Sequence, residues 1–408
     1  MLGARRHYAV PRLLHEAGLL DCFYTDLYLG NKRWLHQAGD WMPSRLMHRG
    51  LQRVLARSDL VLPPAKVHSF DLLGLWYAWA RRRASSYSDI QQVYRTMSER
   101  FARRIGKRGF GDSYAVWGFN NASLELFHNA RSAGLKCVLE QTILPARLQL
   151  QLMREEAERW PGWQARLAFP ETDRVTEKRA EAEWELADLI VVGSEFVRGG
   201  LLRCGVPENK VQVVPYGVDV ERFQAAPTED MAADSPLKVL FAGEVGLRKG
   251  VPDLLEALRR LGPTKVKARF AGNVTLDRAK LAPYLDVAEF LGPVPRLQMP
   301  KLYRWANVFV LPSVVEGSAA VTYEALLSGL PVITTPNAGS VVRHDQSGYI
   351  VDIRSPHQIA DALGQYCGNR LKLREHREAL RGIREYASLS RYGADLKALV
   401  AGLGWGVK

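Results

Sequence analysis

The segment Glu316-Gly317-Ser318-Ala319-Ala320-Val321-Thr322-Tyr323-Glu324 places two carboxylates around a run of small residues, with seven residues between them. It follows the apolar run Val308–Leu311 and Pro312. A short apolar run of this kind reads as a buried parallel strand, and open α/β sheets bind ligands at the carboxyl ends of their strands. A helix is expected over 319–328, closed by Gly329. Its start would offer the amides of Ala320 and Val321, together with the helix dipole, to an anion such as phosphate. Glu316 lies before that helix and Glu324 within it, more than a turn apart, so they can reach opposite ends of an extended ligand. Two surface glutamates near a helix start are the plain alternative that spacing leaves open.

A second constellation, Gly243-Glu244-Val245-Gly246-Leu247-Arg248-Lys249-Gly250, lies between a strand expected at Leu237–Ala242 and a helix expected over 252–261. Glycines let backbone approach a ligand closely. Arg248 can fork onto phosphate oxygens and Lys249 adds a mobile point charge. The loop lacks the GxxxxGK[ST] pattern of a Walker loop. Cations at a helix start oppose its dipole, and an anionic ligand would account for them; a basic turn capping a helix is the alternative.

The surrounding elements must hold these loops at one sheet edge. Strands are expected at Leu237–Ala242, Val266–Ala271, 287–291, Val308–Leu311 and 331–334, with helices at 252–261, 297–306 and 319–328. This βαβ rhythm implies a doubly wound parallel sheet. In the first half, strands are expected at 114–117, 136–139, Leu189–Val192 and 211–214, with helices at 121–133, 177–187 and 195–204. The start is different: Gly3-Ala4-Arg5-Arg6-His7 leads directly into a helical pattern over 10–17, so the first strand is short or missing. A late start of the recorded sequence would explain that. A composition shift over 215–235, with Pro215, Gly217, Pro227 and Thr228-Glu229-Asp230, places the expected hinge there.

Bulk properties fit this picture. The chain has 408 residues, enough for two or three domains at roughly 100–200 residues each. Hydrophobic residues make up 47% and charged residues 24%, which excludes a disordered or fibrous chain. A net charge of +13 favours anionic partners without choosing among nucleic acid, membrane surface and phosphorylated substrates. No helix-turn-helix, zinc or RNA-stacking motif supports nucleic acid. Cys22, Cys137, Cys204 and Cys367 show no metal or redox spacing and read as small core residues of a reducing compartment. With no apolar signal region and no run of about 18 apolar residues, the expectation is a cytoplasmic protein, with peripheral contact on the inner face of the cell membrane as an option. That option rests on 31–83, where ten Lys/Arg stand against three acids, interleaved with Trp34, Trp41, Trp76, Tyr77 and Trp79. Basic residues beside Trp and Leu suit a monotopic contact with anionic lipid; a helical insertion packed on the core is the alternative.

Together these motifs resemble the large retaining glycosyltransferase family of GT-B fold, glycosyl transferases group 1. The resemblance covers about 180–365 and includes Val191-Val192-Gly193-Ser194-Glu195, Val214-Pro215-Tyr216-Gly217-Val218 and Gly329-Leu330-Pro331-Val332. It implies two Rossmann-like doubly wound domains facing a central cleft: an acceptor domain over 1–214, a nucleotide-sugar domain over 215–385, and a C-terminal helix over 386–408 packing back on the first. It implies a nucleotide-diphosphate sugar as donor, a glycan or lipid-linked acceptor, and no metal or other cofactor. Glu316 would contact donor-sugar hydroxyls and Glu324 the ribose. Arg248 and Lys249 would neutralise the leaving diphosphate, helped by amides of Ala320 and Val321. Gly243, Glu244, Gly317, Ser318 and Ala319 would line the donor site, with base contacts near Val294. On the acceptor side, Gly3 and Arg5 match the family's first loop, and Glu140 stands near where many members carry a His. Departures are Glu244 for a common Arg, Ala319 for a common Gly, and that absent His. They keep open a catalytically impaired homologue of the same fold.

Overall fold

The computed structural model describes residues 1–30, 57–59, 61–165, 174–223 and 235–405. Much of the basic, aromatic stretch (31–56 and Leu60) and the hinge signals Pro227, Thr228, Glu229 and Asp230 lie outside the described residues. Packing divides the chain into two units. One comprises Met1–Gln141, Asp173–Val191 and Gly393–Lys408; the other comprises Thr142–Thr172 and Val192–Tyr392. The changeovers thus fall elsewhere than at 214 and 385, because packing rather than composition defines a unit. Residues just after Val192 pack within the second unit: Ser194 Oγ donates to the Gly317 carbonyl at 2.5 Å. Residues 386–392 do the same, with Val218 N–H donating to Ala387 O and Arg391 Nη2 to Pro215 O, while Gly393–Lys408 packs in the first unit.

The second unit is built on six parallel strands ordered Gly348–Ile350, Val332–Thr334, Val308–Leu311, Leu237–Ala242, Val266–Ala271, Ala288–Gly292. In chain order this is 6-5-4-1-2-3, the doubly wound arrangement whose switch point lies between its first and fourth strands. Both those strands are apolar because helices cover both sheet faces; Val308, Phe309, Val310 and Leu311 are fully buried. The two candidate loops leave these neighbouring strands. Gly250 joins them closely. It sits at φ 65°, and a Cβ there would lie 2.1 Å from the Pro312 carbonyl oxygen. Only glycine permits both the left-handed backbone and that approach. The helix Val251–Leu261 then starts with Pro252 in its first turn.

In the first unit, Phe23–Thr25 and Val67–Ser69 form a two-stranded parallel sheet. Ala115–Phe119, Lys136–Gln141 and Leu189–Val192 follow one another in a separate sheet. The chain opens on a short 3-10 turn, Arg5–Tyr8, and the helix Ala9–Glu16, so no described strand precedes Phe23. Helices Asp71–Arg83, Tyr87–Arg108 and Leu124–Ser132 complete this unit's cover with Arg174–Leu186. The serine–aspartate capping box Ser86/Asp89 starts the long one. Glu183 on Arg174–Leu186 is 1% exposed and accepts from the backbone amides of Asn121, Ser123 and Leu124 at 2.7, 2.7 and 3.2 Å. It therefore satisfies the amides at the start of Leu124–Ser132 from a distant element. Burial raises its pKa to about 7, opposed by those same amides.

Glu183→Gln exchanges one acceptor oxygen for an NH2 that faces an N–H donor. Urea denaturation should show a loss of about 1–3 kcal/mol. Unchanged stability would mean that the carboxylate does not hold this helix start.

Candidate functional site

Arg248 and Lys249 lie on a single 3-10 turn, Leu247–Lys249. The turn is fixed from several sides. The Gln164 side chain accepts from Leu247 N–H at 3.0 Å, and Val314 and Val315 N–H both donate to the Arg248 carbonyl at 3.0 and 3.2 Å. The loop after the fourth strand is thereby tied to the loop after the first.

Glu316 stands where both cations converge. Its Oε2 accepts from Arg248 Nη1 at 3.1 Å and is bonded to Lys249 Nζ. Arg248 also donates to the Val315 carbonyl at 3.2 Å. Lys249 is only 6% exposed. Burial, and next the neighbouring Arg248 cation, push its ammonium well below the usual lysine range, with Glu244 opposing. Burial lowers the Arg248 pKa as well, again against Glu244. Two cations buried side by side need an anion, and in this protein the Glu316 carboxylate supplies it. Glu244, half-buried on the same loop, adds a second negative field.

The small residues between the glutamates pack tightly. A Cβ on Gly317 would lie 1.8 Å from the Thr142 carbonyl oxygen, so only glycine fits. Ser318 Oγ donates to Gly339 O and shares a 2.9 Å bond with Tyr323 OH. Ala319 is the residue before the helix Ala320–Leu327 rather than its first member, and its own N–H is taken by Ala338 O. Ala320 and Val321 occupy the first helical turn, where amides lack intrahelical acceptors. Gly243 has φ 144° and would place a Cβ 3.5 Å from Lys249 Cε.

Glu324 is 9% exposed, and its Oε2 accepts from Tyr303 OH at 2.9 Å. Burial raises its pKa, opposed by the Tyr303 hydroxyl and then by Arg296 and Arg222. Tyr303, Arg222 and Arg296 were not expected from the sequence; only three-dimensional proximity selects them. Val294 is half-buried in the loop after Ala288–Gly292.

In the first unit, Gly3 sits at φ 74° and its N–H donates to Asp26 Oδ1 at 2.9 Å. Arg5 donates to Tyr94 OH at 2.8 Å and to Asn120 O at 3.3 Å. Glu140 is fully buried, accepts from Trp117 Nε1 at 3.1 Å and pairs with Arg6 at 3.8 Å. All three have structural partners within their own unit. Among the described residues, no group of three or more His, Cys, Asp and Glu could hold a metal ion.

Residues 236–369 match the family model described as glycosyl transferases group 1. A putative colanic acid biosynthesis glycosyltransferase of Escherichia coli K12 is 28% identical over 197 residues, which is 44% of this chain and 47% of that one. A D-inositol 3-phosphate glycosyltransferase of Xylanimonas cellulosilytica is 31% identical over 202 residues, 44% of this chain and 48% of that one. The matches span about half the length of these relatives. The crystal structure of Anabaena HepE in complex with UDP superimposes with a TM-score of 0.61 at 13% identity, covering 97% of this chain and 95% of that one. That likeness fixes the fold as GT-B, with two Rossmann-like domains.

The ion cluster has a consequence for stability. Glu316→Ala leaves Arg248 and Lys249 buried without their carboxylate. The free protein should lose about 3 kcal/mol in chemical denaturation, somewhat less than a wholly buried pair because the three side chains are slightly exposed. A variant as stable as the parent would show that the cluster contributes nothing to the fold.

Proposed function

We propose that this chain, whose residues 236–369 match the glycosyl transferases group 1 model, is a retaining glycosyltransferase. It moves a hexose-type sugar from a nucleoside-diphosphate sugar to a glycan or lipid-linked acceptor in surface polysaccharide or glycolipid synthesis. The observation that carries the reading is the convergence of Arg248, Lys249 and Glu316 at the switch point of the second unit's sheet.

Glycosyl transfer builds positive charge at the anomeric carbon and negative charge on the departing diphosphate. Fixed cations at the phosphate lower that barrier, because they need no reorganisation as charge develops. Arg248 offers a fork and Lys249 a point charge for this purpose. The diphosphate carries more negative charge than the single Glu316 carboxylate and takes its place beside the two cations. Glu316 is then released to accept hydrogen bonds from the donor-sugar hydroxyls. The Ala320 and Val321 amides add donors to the phosphate. Glu324, held by Tyr303, receives the ribose hydroxyls, and the base lies near Val294. Charge neutralisation by two side chains requires no metal. Sugar transfer to the same face of the anomeric carbon gives retention. Gly3, Arg5 and Glu140 are assigned to the acceptor side.

A peripheral contact with anionic lipid is part of the proposal. On the helix Asp71–Arg83, Leu72, Leu75 and Trp79 are 82%, 57% and 53% exposed and fall on one face at helical spacing. Arg81, Arg82 and Arg83 follow in its last turn. Exposed Leu and Trp beside arginines match an interfacial helix better than a packed one. No described helix is long and apolar enough to cross a membrane.

Three measurements test this. Lys249→Ala and Glu316→Ala should abolish sugar transfer while circular dichroism stays native; parental turnover in either sinks the assigned roles. A thermal-shift screen across UDP-, GDP- and ADP-sugars should single out one base by raising Tm, since a ligand bound to the native state stabilises it. No response to any of them argues for an impaired homologue. In flotation, the protein should rise with anionic liposomes, and a Leu72→Ser/Trp79→Ser double variant should not. Equal behaviour of the two proteins removes the membrane contact.

A further inference from the structure

The turn Leu247–Lys249 is too short to hold itself. Its own bonds are Lys249 N–H to Gly246 O at 3.2 Å and Gly250 N–H to Leu247 O at 2.9 Å, and 3-10 geometry bonds less well than an α-helix. Leu247 opens the turn, so its N–H must find an acceptor outside it. Four outside holds fix the loop. Val245 N–H donates to Asn273 O at 2.8 Å, Val314 and Val315 N–H donate to Arg248 O, and Gly250 presses on the Pro312 carbonyl. The fourth is Gln164, whose Oε1 accepts from Leu247 N–H at 3.0 Å. The first three are made by backbone from neighbouring loops. Gln164 alone of these four uses a side chain, reaches across 83 residues of sequence, and grips the residue just before Arg248.

The chain that delivers Gln164 is anchored to the second unit at several points. The helix Ala146–Arg159 and the residues up to Gln164 pack within that unit. Arg159 makes a two-pronged pair with Asp253, Nη1 to Oδ2 at 2.9 Å and Nη2 to Oδ1 at 2.7 Å. Asp253 is 1% exposed and stands in the first turn of Val251–Leu261, the helix that begins straight after Gly250. One turn back, the fully buried Glu156 accepts from Arg354 Nε at 2.5 Å, and Arg354 Nη2 pairs with Glu155 at 2.8 Å. Buried pairs of this kind are costly to break. Trp163 is buried against Tyr284 and Trp160, and its carbonyl accepts from Asp277 N–H at 2.8 Å. Gln164 follows this last anchor directly, so its side chain starts from a fixed point.

We propose that residues 146–164 form a strap that braces the diphosphate seat, and that Gln164 is its positioning residue, holding Arg248 and Lys249 in place through the Leu247 amide. The proposal rests on the reading of these two cations as that seat. Exchange of Glu316 for a diphosphate removes the carboxylate that holds both cation heads in the free protein. The turn must then keep its place by its backbone holds, and the Gln164 bond is the one nearest the cations on their N-terminal side. Fixed cations stabilise developing charge only while they stay fixed. The strap approaches closely because Gly246 lacks a side chain. A Cβ there would lie 2.6 Å from Thr275 Oγ1 and 3.2 Å from Gln164 Oε1.

Three single variants of the full chain test the brace. Gln164→Met withdraws the oxygen at equal length, Gln164→Asn withdraws it by shortening, and Gln164→Glu keeps an oxygen in reach. Amide exchange of Leu247, Val314 and Val315 should quicken roughly tenfold or more with Met and with Asn, and stay parental with Glu. Exchange in the strand Leu237–Ala242 should be unchanged in all three. Calorimetry with UDP, GDP and ADP and their monophosphates supplies the second readout. For the best-binding pair, the preference for diphosphate should fall roughly fivefold or more with Met and with Asn, while monophosphate affinity stays within about twofold. If one of these two variants fails to fold, the other carries the comparison. The brace is overturned by parental exchange at Leu247 in either folded variant, by exchange that quickens equally in Leu237–Ala242, by an undiminished diphosphate preference, or by failure of both variants to fold. A parent protein that binds none of the nucleotides counts against the proposed function, and the exchange result then decides the brace alone.

Discussion

Placing a lysine and an arginine side by side in a nearly buried site is the constraint around which the second unit is organised. Desolvation opposes each charge and mutual repulsion opposes both. Glu244 on the same loop offsets part of this, and a carboxylate in direct contact is brought from elsewhere in the chain: Glu316 arrives from a loop 67 residues beyond Lys249. The doubly wound order makes that meeting possible, because it sets the first and fourth strands next to each other. Gly250 then lets the first loop press against the Pro312 carbonyl, and the Arg248 carbonyl receives the amides of Val314 and Val315. Backbone contacts position the loops, and the loops position the charges.

The glutamates at the two ends of the segment are held in different ways. Glu316 is paired with cations and is suited to exchange partners when a stronger anion arrives. Glu324 is buried against the Tyr303 hydroxyl and sits in a fixed orientation. Between them, Gly317, Ser318 and Ala319 are locked by contacts with Thr142, Gly339 and Ala338. One carboxylate held by cations and one held by a tyrosine, on a rigid frame, are the arrangement on which the proposed assignment of phosphate and ribose ends rests. The first unit uses its buried carboxylates otherwise: Glu183 caps a helix start, and Glu140 meets Trp117 and Arg6.

Much of the second unit was legible from sequence, for a physical reason. Parallel strands covered on both faces are largely apolar, so Leu237–Ala242 and Val308–Leu311 stood out as short hydrophobic runs, whereas Val266–Ala271 carries Lys267 and Arg269 between its apolar residues. Glycine and proline punctuated the loops between them. The short strands Phe23–Thr25, Val67–Ser69 and Gly348–Ile350 were not legible, because, unlike the equally short Val332–Thr334, each mixes apolar residues with Tyr, Thr, His, Ser or Gly and shows no apolar run. At the site, residue types pointed to Arg248, Lys249, Glu316 and Glu324 as ligand groups. Their pairing in the free protein was hidden, since nothing in one sequence links position 249 to position 316. Tyr303, Gln164, Arg222 and Arg296 were hidden for the same reason. The unit boundaries differed from those expected because a proline- and acid-rich stretch signals a loop, whereas packing decides which unit a segment joins.

The central claim is that Arg248 and Lys249 form a seat for a diphosphate, occupied in the free protein by the Glu316 carboxylate. Calorimetric titration with a nucleoside diphosphate and with the matching monophosphate, at one ionic strength, tests it most directly. The account predicts that the diphosphate binds at least tenfold more tightly, about 1.4 kcal/mol, because its second phosphate reaches both cations. Equal affinity for the two nucleotides would contradict it.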